Sequence, residues 1–411
     1  MLRWLFMAVA VLAAQDSAPE PAYPGIHPDV LRIARIKTRM RENLTQLPNY
    51  TCTETIERSH RAPKSRRFQL DDTIRLEVAL VNGKELFAWP GAGNFEDRPL
   101  RDLVGGTIGN GSFALHARSV FLSNAPTYEY VGPVEEFGRS MHRYRYHVPL
   151  NRSGFQLRVG DQQGVAGYHG AFDVDQTSLD LIRLEVIAHD IPPHVPLSNA
   201  RDEMRYQRVA IGERDFLLPQ SSELTLTDLT GDESRNRTSF SSCHQYSGES
   251  TISFDDPPPP GEAPPPPVAA VPVQLPEGLL FEARLTEALQ FKDIAIGDPF
   301  EVELTTNAKQ GKSTIVPRGA KARGRVTGYR RFYNRFEQQL LSLRIEEIEF
   351  PGARADVVAV PVDIRIPAAG PTAVGKTGMI YMRGQRQGLM KGTQIVWRVE
   401  PKTTETGRHS Q

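Results

Sequence analysis

The sequence predicts a mainly β protein in which an α+β first domain, an antiparallel sheet with a few helices, is followed by a proline-rich linker and a small β-barrel or sandwich. Three observations predict it. Apolar and polar residues alternate with period two over most of the chain from Asn49 onward, and one stretch before it has helical spacing. Between two segments of globular composition, residues 255–276 carry the proline runs 257–260 and 264–267. Proline lacks a backbone donor and fixes φ, so such runs favour polyproline II and form a semi-rigid spacer.

The N-terminus reads as an export signal. Residues 1–14 hold one basic residue, Arg3, then an apolar run from Trp4 to Leu12 and the small pair Ala13 and Ala14. That run is shorter than the ~20 apolar residues that cross a bilayer, so no transmembrane anchor is expected. With no cysteine beside the cleavage region, the mature protein is expected to be soluble and periplasmic or extracellular. At 411 residues the chain can hold two or three cores. Its 49 basic and 49 acidic residues produce no global field that would gather nucleic acid.

Next comes one amphipathic helix, residues 28–46, with Ile33, Ile36, Met40 and Leu44 on one side and Arg35, Lys37, Arg39 and Arg41 between them. Then Ile74, Leu76, Val78 and Leu80 alternate with Arg75 and Glu77, and Asn82-Gly83 supplies the φ-positive pair of a tight hairpin into residues 85–89. Residues 95–104 and 112–123 read as helices joined by a glycine-rich stretch. A strand places His142, Tyr144, Tyr146 and Val148 on one face and Met141, Arg143, Arg145 and His147 on the other. Phe155, Leu157 and Val159 repeat the pattern, as do Ile182, Leu184, Val186 and Ala188 after a turn at residues 175–178. This bounds a first domain at residues 28–254.

Beyond the linker a second domain, residues 277–400, reads as short strands at 280–285, 299–305, 322–327, 340–350, 357–366 and 393–399, with Val316-Pro317-Arg318-Gly319 as a type I turn. The polar tail at residues 401–411 is expected to be disordered.

The only cysteines are Cys52 and Cys243. An even count in an exported chain points to a disulfide, with two buried free thiols as the alternative. A bridge closing so long a loop contributes on the order of 4–5 kcal/mol.

Chemistry-bearing motifs are weak. Phe172-Asp173-Val174-Asp175-Gln176-Thr177 looks like the first motif of haloacid-dehalogenase-type phosphatases, which implies Asp173 as nucleophile and Asp175 as general acid. No alternating α/β context surrounds it, and a hairpin turn accounts for the same residues. His169, Asp173, Asp175, His189 and His194 have no recognised metal-ligand spacing, and His142 and His147 face opposite sides of their strand, so no metal is expected. Gly106 to Ser112 lacks the lysine of a P-loop, and Ser112 suits a helix cap. Arg318, Lys321, Arg323, Arg325, Arg330, Arg331 and Arg335 interleave with Tyr329, Phe332, Tyr333 and Phe336. That mixture suits an envelope polyanion or a protein, or simply a charged strand pair.

Residues 172–186, the stretch YQRVAIGERDFLLP ending at Pro219 and the closing NRTSFSSCHQYSGESTISF resemble the strand rhythm of the periplasmic lipoprotein-carrier (LolA-like) superfamily over residues 28–254. The resemblance implies a strongly curved sheet plugged by helices, whose concave face holds acyl chains. Phe87, Trp89, Tyr144, Tyr146, Phe155 and Leu184 are then the candidate lining, unless they only close a core. In the second domain LPEGLLFEARLTEAL, VPRGAKARGRV and LSLRIEEIEFPG resemble the β-barrel domain of TrbI-like conjugative secretion channel proteins. That implies a non-catalytic scaffold element biased toward protein contacts. The expectation is a non-enzymatic envelope protein, without cofactor, that binds a lipid-like ligand or an envelope protein partner. A hydrolase using Asp173 and Asp175 and a purely structural assembly protein are the alternatives.

Overall fold

The computed structural model describes residues 27–92, 94–95, 97, 100–104, 113–136, 138–246, 271–334, 336–365, 372–384 and 386–401. The predicted signal, residues 255–270 of the linker, the glycine-rich stretch with Ser112, and residues 402–411 lie outside them.

Helix α1 (Pro28–Gln46) opens the fold with proline in its first turn and Asp29 beside the positive end of its dipole. It stops at Leu47 because Pro48 pushes the preceding residue to extended backbone, φ −59° and ψ 124°. Ile36, Met40 and Leu44, four apart, are its buried stripe.

The first sheet consists of β1 (Tyr50–Arg61), β2 (Gln69–Val81), β3 (Lys84–Ala88), β4 (Thr127–Glu136), β5 (Arg139–Val148), β6 (Phe155–Val159), β7 (Gln162–Asp175), β8 (Leu181–His189), β9 (Leu197–Ile211), β10 (Arg214–Asp228) and β11 (Glu233–Gln245). Its order is β3-β2-β1-β11-β10-β9-β8-β7-β5-β4, with β6 also on β7, and every pairing within it is antiparallel. Asn82 and Gly83 take φ of 52° and 80°, as the β2–β3 hairpin requires. Two short helices, α2 (Leu100–Val104) and α3 (Leu115–Phe121), fall inside the expected helical stretches and are shorter than them. The register at β8 also differs from strict alternation. A bulge facing Asp173 and Val174 places Leu181 in the core and leaves Ile182 only half-buried, while Leu184, Val186 and Ala188 keep their predicted side.

Because β11 lies beside β1, the chain's return brings Cys243 against Cys52, and the two form the predicted disulfide. The register shift between Thr51 and Thr53, together with the positive φ of Ser242, makes the local bulge that brings the sulfurs together.

The second sheet comprises β12 (Val271–Pro272), β13 (Leu280–Leu285), β14 (Leu289–Gln290), β15 (Pro299–Leu304), β16 (Ala308–Gln310), β17 (Ser313–Val316), β18 (Lys321–Asn334), β19 (Phe336–Phe350), β20 (Ala353–Arg365), β21 (Thr372–Val374), β22 (Met379–Arg383), β23 (Gly388–Leu389) and β24 (Gln394–Val399), with β14–β23 and β16–β17 as separate small ribbons. A pairing of β19 with β20 closes the path β20-β24-β13-β15-β18-β19 into a barrel. Trp397, fully buried and stacked on Phe300 at 5.9 Å, sits in its core. Val271 and Pro272 already pair with β20, so the sheet begins before residue 277.

The two domains, which a proline spacer alone would hold apart, touch. Strand β3 covers only Glu77–Val81 of β2, leaving the edge at Thr73–Arg75 open. The barrel loop fills it: Arg75 N donates to Ile296 O at 2.8 Å and Ile296 N to Thr73 O at 2.7 Å. An unpaired sheet edge thereby gains its missing partners. The Arg75 guanidinium pairs with Asp298, and Arg325 stands 4.7 Å above the Trp89 ring. Gly297 is at φ +103°, and a Cβ there would fall 2.3 Å from Arg75 O and 2.7 Å from Trp89.

Candidate functional site

One face of the first sheet is apolar and covered by α1 and α3. Phe172 on β7 is its hub: Tyr144 stacks on it at 5.2 Å, and Phe121 of α3 and Tyr128 meet it edge-on at 5.0 and 6.1 Å. Tyr146, Tyr168, Leu181, Leu184, Val186 and Met204 complete the cluster, against which Ile36, Met40 and Leu44 of α1 pack. Two of the tyrosines donate to backbone carbonyls: Tyr128 to Val120 O at 2.5 Å and Tyr146 to Glu185 O at 2.7 Å. Burial pushes the phenol of Tyr146 well up, so it stays a neutral donor.

Polar tethers at its rim hold α1 over this face. Arg32 lies 4.6 Å over the Tyr130 ring, Lys37 5.4 Å over Tyr128, and Arg39 is 3.5 Å from Asp180. Arg118 of α3 donates to Leu44 O at 3.3 Å near the C-terminus of α1. The cover is thus α1 with its stripe of Ile36, Met40 and Leu44, beside α3 with Ala117, Val120 and Phe121.

Of the six residues expected to line a concavity, Tyr144, Tyr146 and Leu184 are buried in this cluster and Phe155 packs half-buried at its margin. Phe87 is buried in a neighbouring cluster with Tyr50, Leu76 and Phe113. Trp89 is half-buried at the seam with the barrel. The six therefore do not converge on one spot.

The neighbouring cluster contains a group that sequence reasoning missed. Glu54 is only 5% exposed on the inner face of β1, and its Oε2 meets no hydrogen-bond partner among the described residues. Burial, and secondly the charge of Glu85, push its carboxyl up to about 8. A lone acidic residue within an apolar alternation, Tyr50, Cys52, Glu54, Ile56, was the available signal.

The opposite face is polar. Asp173 is fully buried and accepts from Arg143 at 2.7 and 2.8 Å, with Arg183 at 3.7 Å. Arg183, Glu185, Arg201 and Glu203 extend this ladder across β8 and β9 at 2.8–3.4 Å. Asp175 accepts from the backbone N–H groups of Thr177 and Ser178, both at 2.9 Å, which holds its carboxyl below the usual range. Both carboxylates of the phosphatase-like motif are thus engaged, one in an ion-pair ladder and one in a turn. Beside the ladder lies a cavity of about 530 Å³ lined by charged and hydroxyl side chains including Thr55, Arg201, Arg205 and Arg237; none of the six predicted residues lines it.

His147 and His189 stack at 4.8 Å on this same face, with His169 5.6 Å from His189. Burial, then the two neighbouring imidazoles, lowers the pKa of His169. Among the described residues no group of three histidine, cysteine or acidic side chains is arranged to hold a metal. No described helix is long and apolar enough to cross a membrane.

No protein-family model matches the sequence, and no curated protein matches it. Among solved structures, a LolA superfamily protein from Nitrosomonas europaea is similar at 10% identity and a TM-score of 0.27, over 52% of this chain and 94% of that one. A putative outer membrane lipoprotein-sorting protein domain from Vibrio parahaemolyticus is similar at 12% identity and TM-score 0.29, over 53% and 92%. A DUF1329 family protein from Desulfovibrio piger is similar at 11% identity and TM-score 0.31, over 55% and 97%. These three do not bear on the TrbI-like resemblance of the barrel.

Proposed function

We propose that this chain is a non-catalytic, exported envelope protein whose first domain binds a lipid-like ligand between α1 and the sheet, while the barrel serves contacts with protein. The observation that carries this reading is the nature of the cover. The aromatic face around Phe172 is closed by α3 and by α1, which contributes Ile36, Met40 and Leu44, and the rim contacts holding α1 are cation–π and ionic pairs. The two cation–π contacts, between half-buried side chains, are individually worth about 1 kcal/mol. Sliding α1 aside would uncover a concave apolar surface, and the exposure of Ile36, Met40 and Leu44, about 1.5–3 kcal/mol each, would be offset by an acyl chain taking their place. The seam favours a protein-contact role for the barrel, since one of its loops already completes a sheet edge in cis. The engaged state of Asp173 and Asp175 supports binding over hydrolysis.

Native and denaturing mass spectrometry of the mature protein purified from a periplasm tests the reading. Co-purified acyl species, with the two-hydrogen mass deficit of the disulfide, are the expected result. An oxidised protein that is empty and takes up no acyl ligand would overturn it.

A further inference from the structure

At the far end of the first sheet, the β1–β2 turn carries Lys64, Arg66 and Arg67, all exposed and none making an ion pair among the described residues. Phe68, the last residue of this loop, is gripped between the guanidiniums of Arg61 at 4.6 Å and Arg235 at 3.8 Å, and β2 then presents Leu70, 57% exposed. The adjoining β10–β11 turn touches the same loop, since a Cβ on Gly231 would sit 3.5 Å from Pro63, and it presents Leu229 at 66% exposure. Of the acidic groups nearby, Asp232 is exposed and accepts from the Thr230 hydroxyl at 3.0 Å, and the others are engaged. Glu233 pairs with Arg61, Asp71 is 2.7 Å from His60 and 3.9 Å from Arg330 of β18, and Asp228 caps its own turn by accepting from Thr230 and Asp232 backbone N–H at 2.8 and 2.9 Å.

We infer that this end of the molecule docks on an anionic lipid bilayer, with Lys64, Arg66 and Arg67 at the phosphates and Leu70 and Leu229 dipping into the interface. Unpaired cations suit any polyanion, but two exposed leucines among them gain nothing from a soluble polymer and do gain from a bilayer interface. The balanced charge of the whole chain makes this a local feature. It is independent of acyl binding under α1, whose residues it does not use.

Flotation of the mature protein with vesicles tests it, comparing phosphatidylcholine alone with phosphatidylcholine containing phosphatidylglycerol. Both share acyl chains, so extraction of lipid by the first domain gives no preference between them. The protein should float with anionic vesicles only and release at high salt. Each cation near an anionic surface is worth roughly fivefold in partitioning, so K64Q/R66Q/R67Q should bind on the order of 100-fold more weakly. L70S/L229S, folded by circular dichroism, should also bind more weakly. Equal flotation with neutral vesicles, an unaffected triple variant, or an unaffected L70S/L229S variant overturns the proposal.

Discussion

Replacing Glu54 by glutamine isolates the buried carboxyl. The side chain keeps its shape but cannot ionise. In the folded protein the acid is raised from an ordinary 4.5 to about 8, so across that window the folded state holds a proton that the unfolded chain releases. Stability from this group is therefore fully present below the unfolded value and falls as pH rises, by about 1.4 kcal/mol per unit. Summed to about pH 7.5, the wild type forgoes about 4 kcal/mol that Glu54→Gln retains. For a domain of this size that corresponds to a rise in melting temperature of roughly 10 °C. Calorimetry of both proteins at about pH 4.5, 6 and 7.5 reads it directly, following the transition that reduction of the disulfide displaces. The variant's advantage should be near zero at the acid end and grow with pH. A constant difference, or one that shrinks, would refute the reasoning.

Other perturbations have equally definite directions. Gly297→Ala drives a methyl into Arg75 O and the Trp89 ring; the barrel should leave the β2 edge, raising the radius of gyration in X-ray scattering while both domains keep their folds, and an unchanged radius would contradict the seam. Cys243→Ser removes a cross-link closing a 191-residue separation, worth about 5 kcal/mol by loop entropy, which urea unfolding of the first domain should register. Arg143→Ala removes both hydrogen bonds to the buried Asp173 carboxylate, leaving it only Arg183 at 3.7 Å, and should destabilise by about 3 kcal/mol. Asp173→Asn should cost less, and if it instead abolished a measurable phosphatase turnover without unfolding the chain, the binding reading would fail.

Much of the fold was legible because its signals are local. Pro28, the 3.6-residue stripe and the Leu47-Pro48 stop define α1 from within twenty residues, and Asn82-Gly83 and Asp175 to Ser178 carry their own turn chemistry. Cysteine parity anticipated the disulfide. What escaped reading depends on partners distant in sequence. The bulge that exchanges Leu181 for Ile182 is set by how β8 meets β7, and the seam at Ile296 exists only because β3 is too short to cover β2. The separation of Phe87 and Trp89 from Tyr144, and the polar cavity formed where β1, β9, β10 and β11 run side by side, likewise follow from sheet order rather than from period.

The most direct test of a ligand held beneath α1 is hydrogen exchange of its backbone amides, with and without a long-chain acyl ligand. The account predicts that Ile36, Met40 and Leu44 lose protection when the ligand enters while the amides of β7 and β8 do not. Binding that leaves α1 as protected as before, or no binding at all, would contradict it.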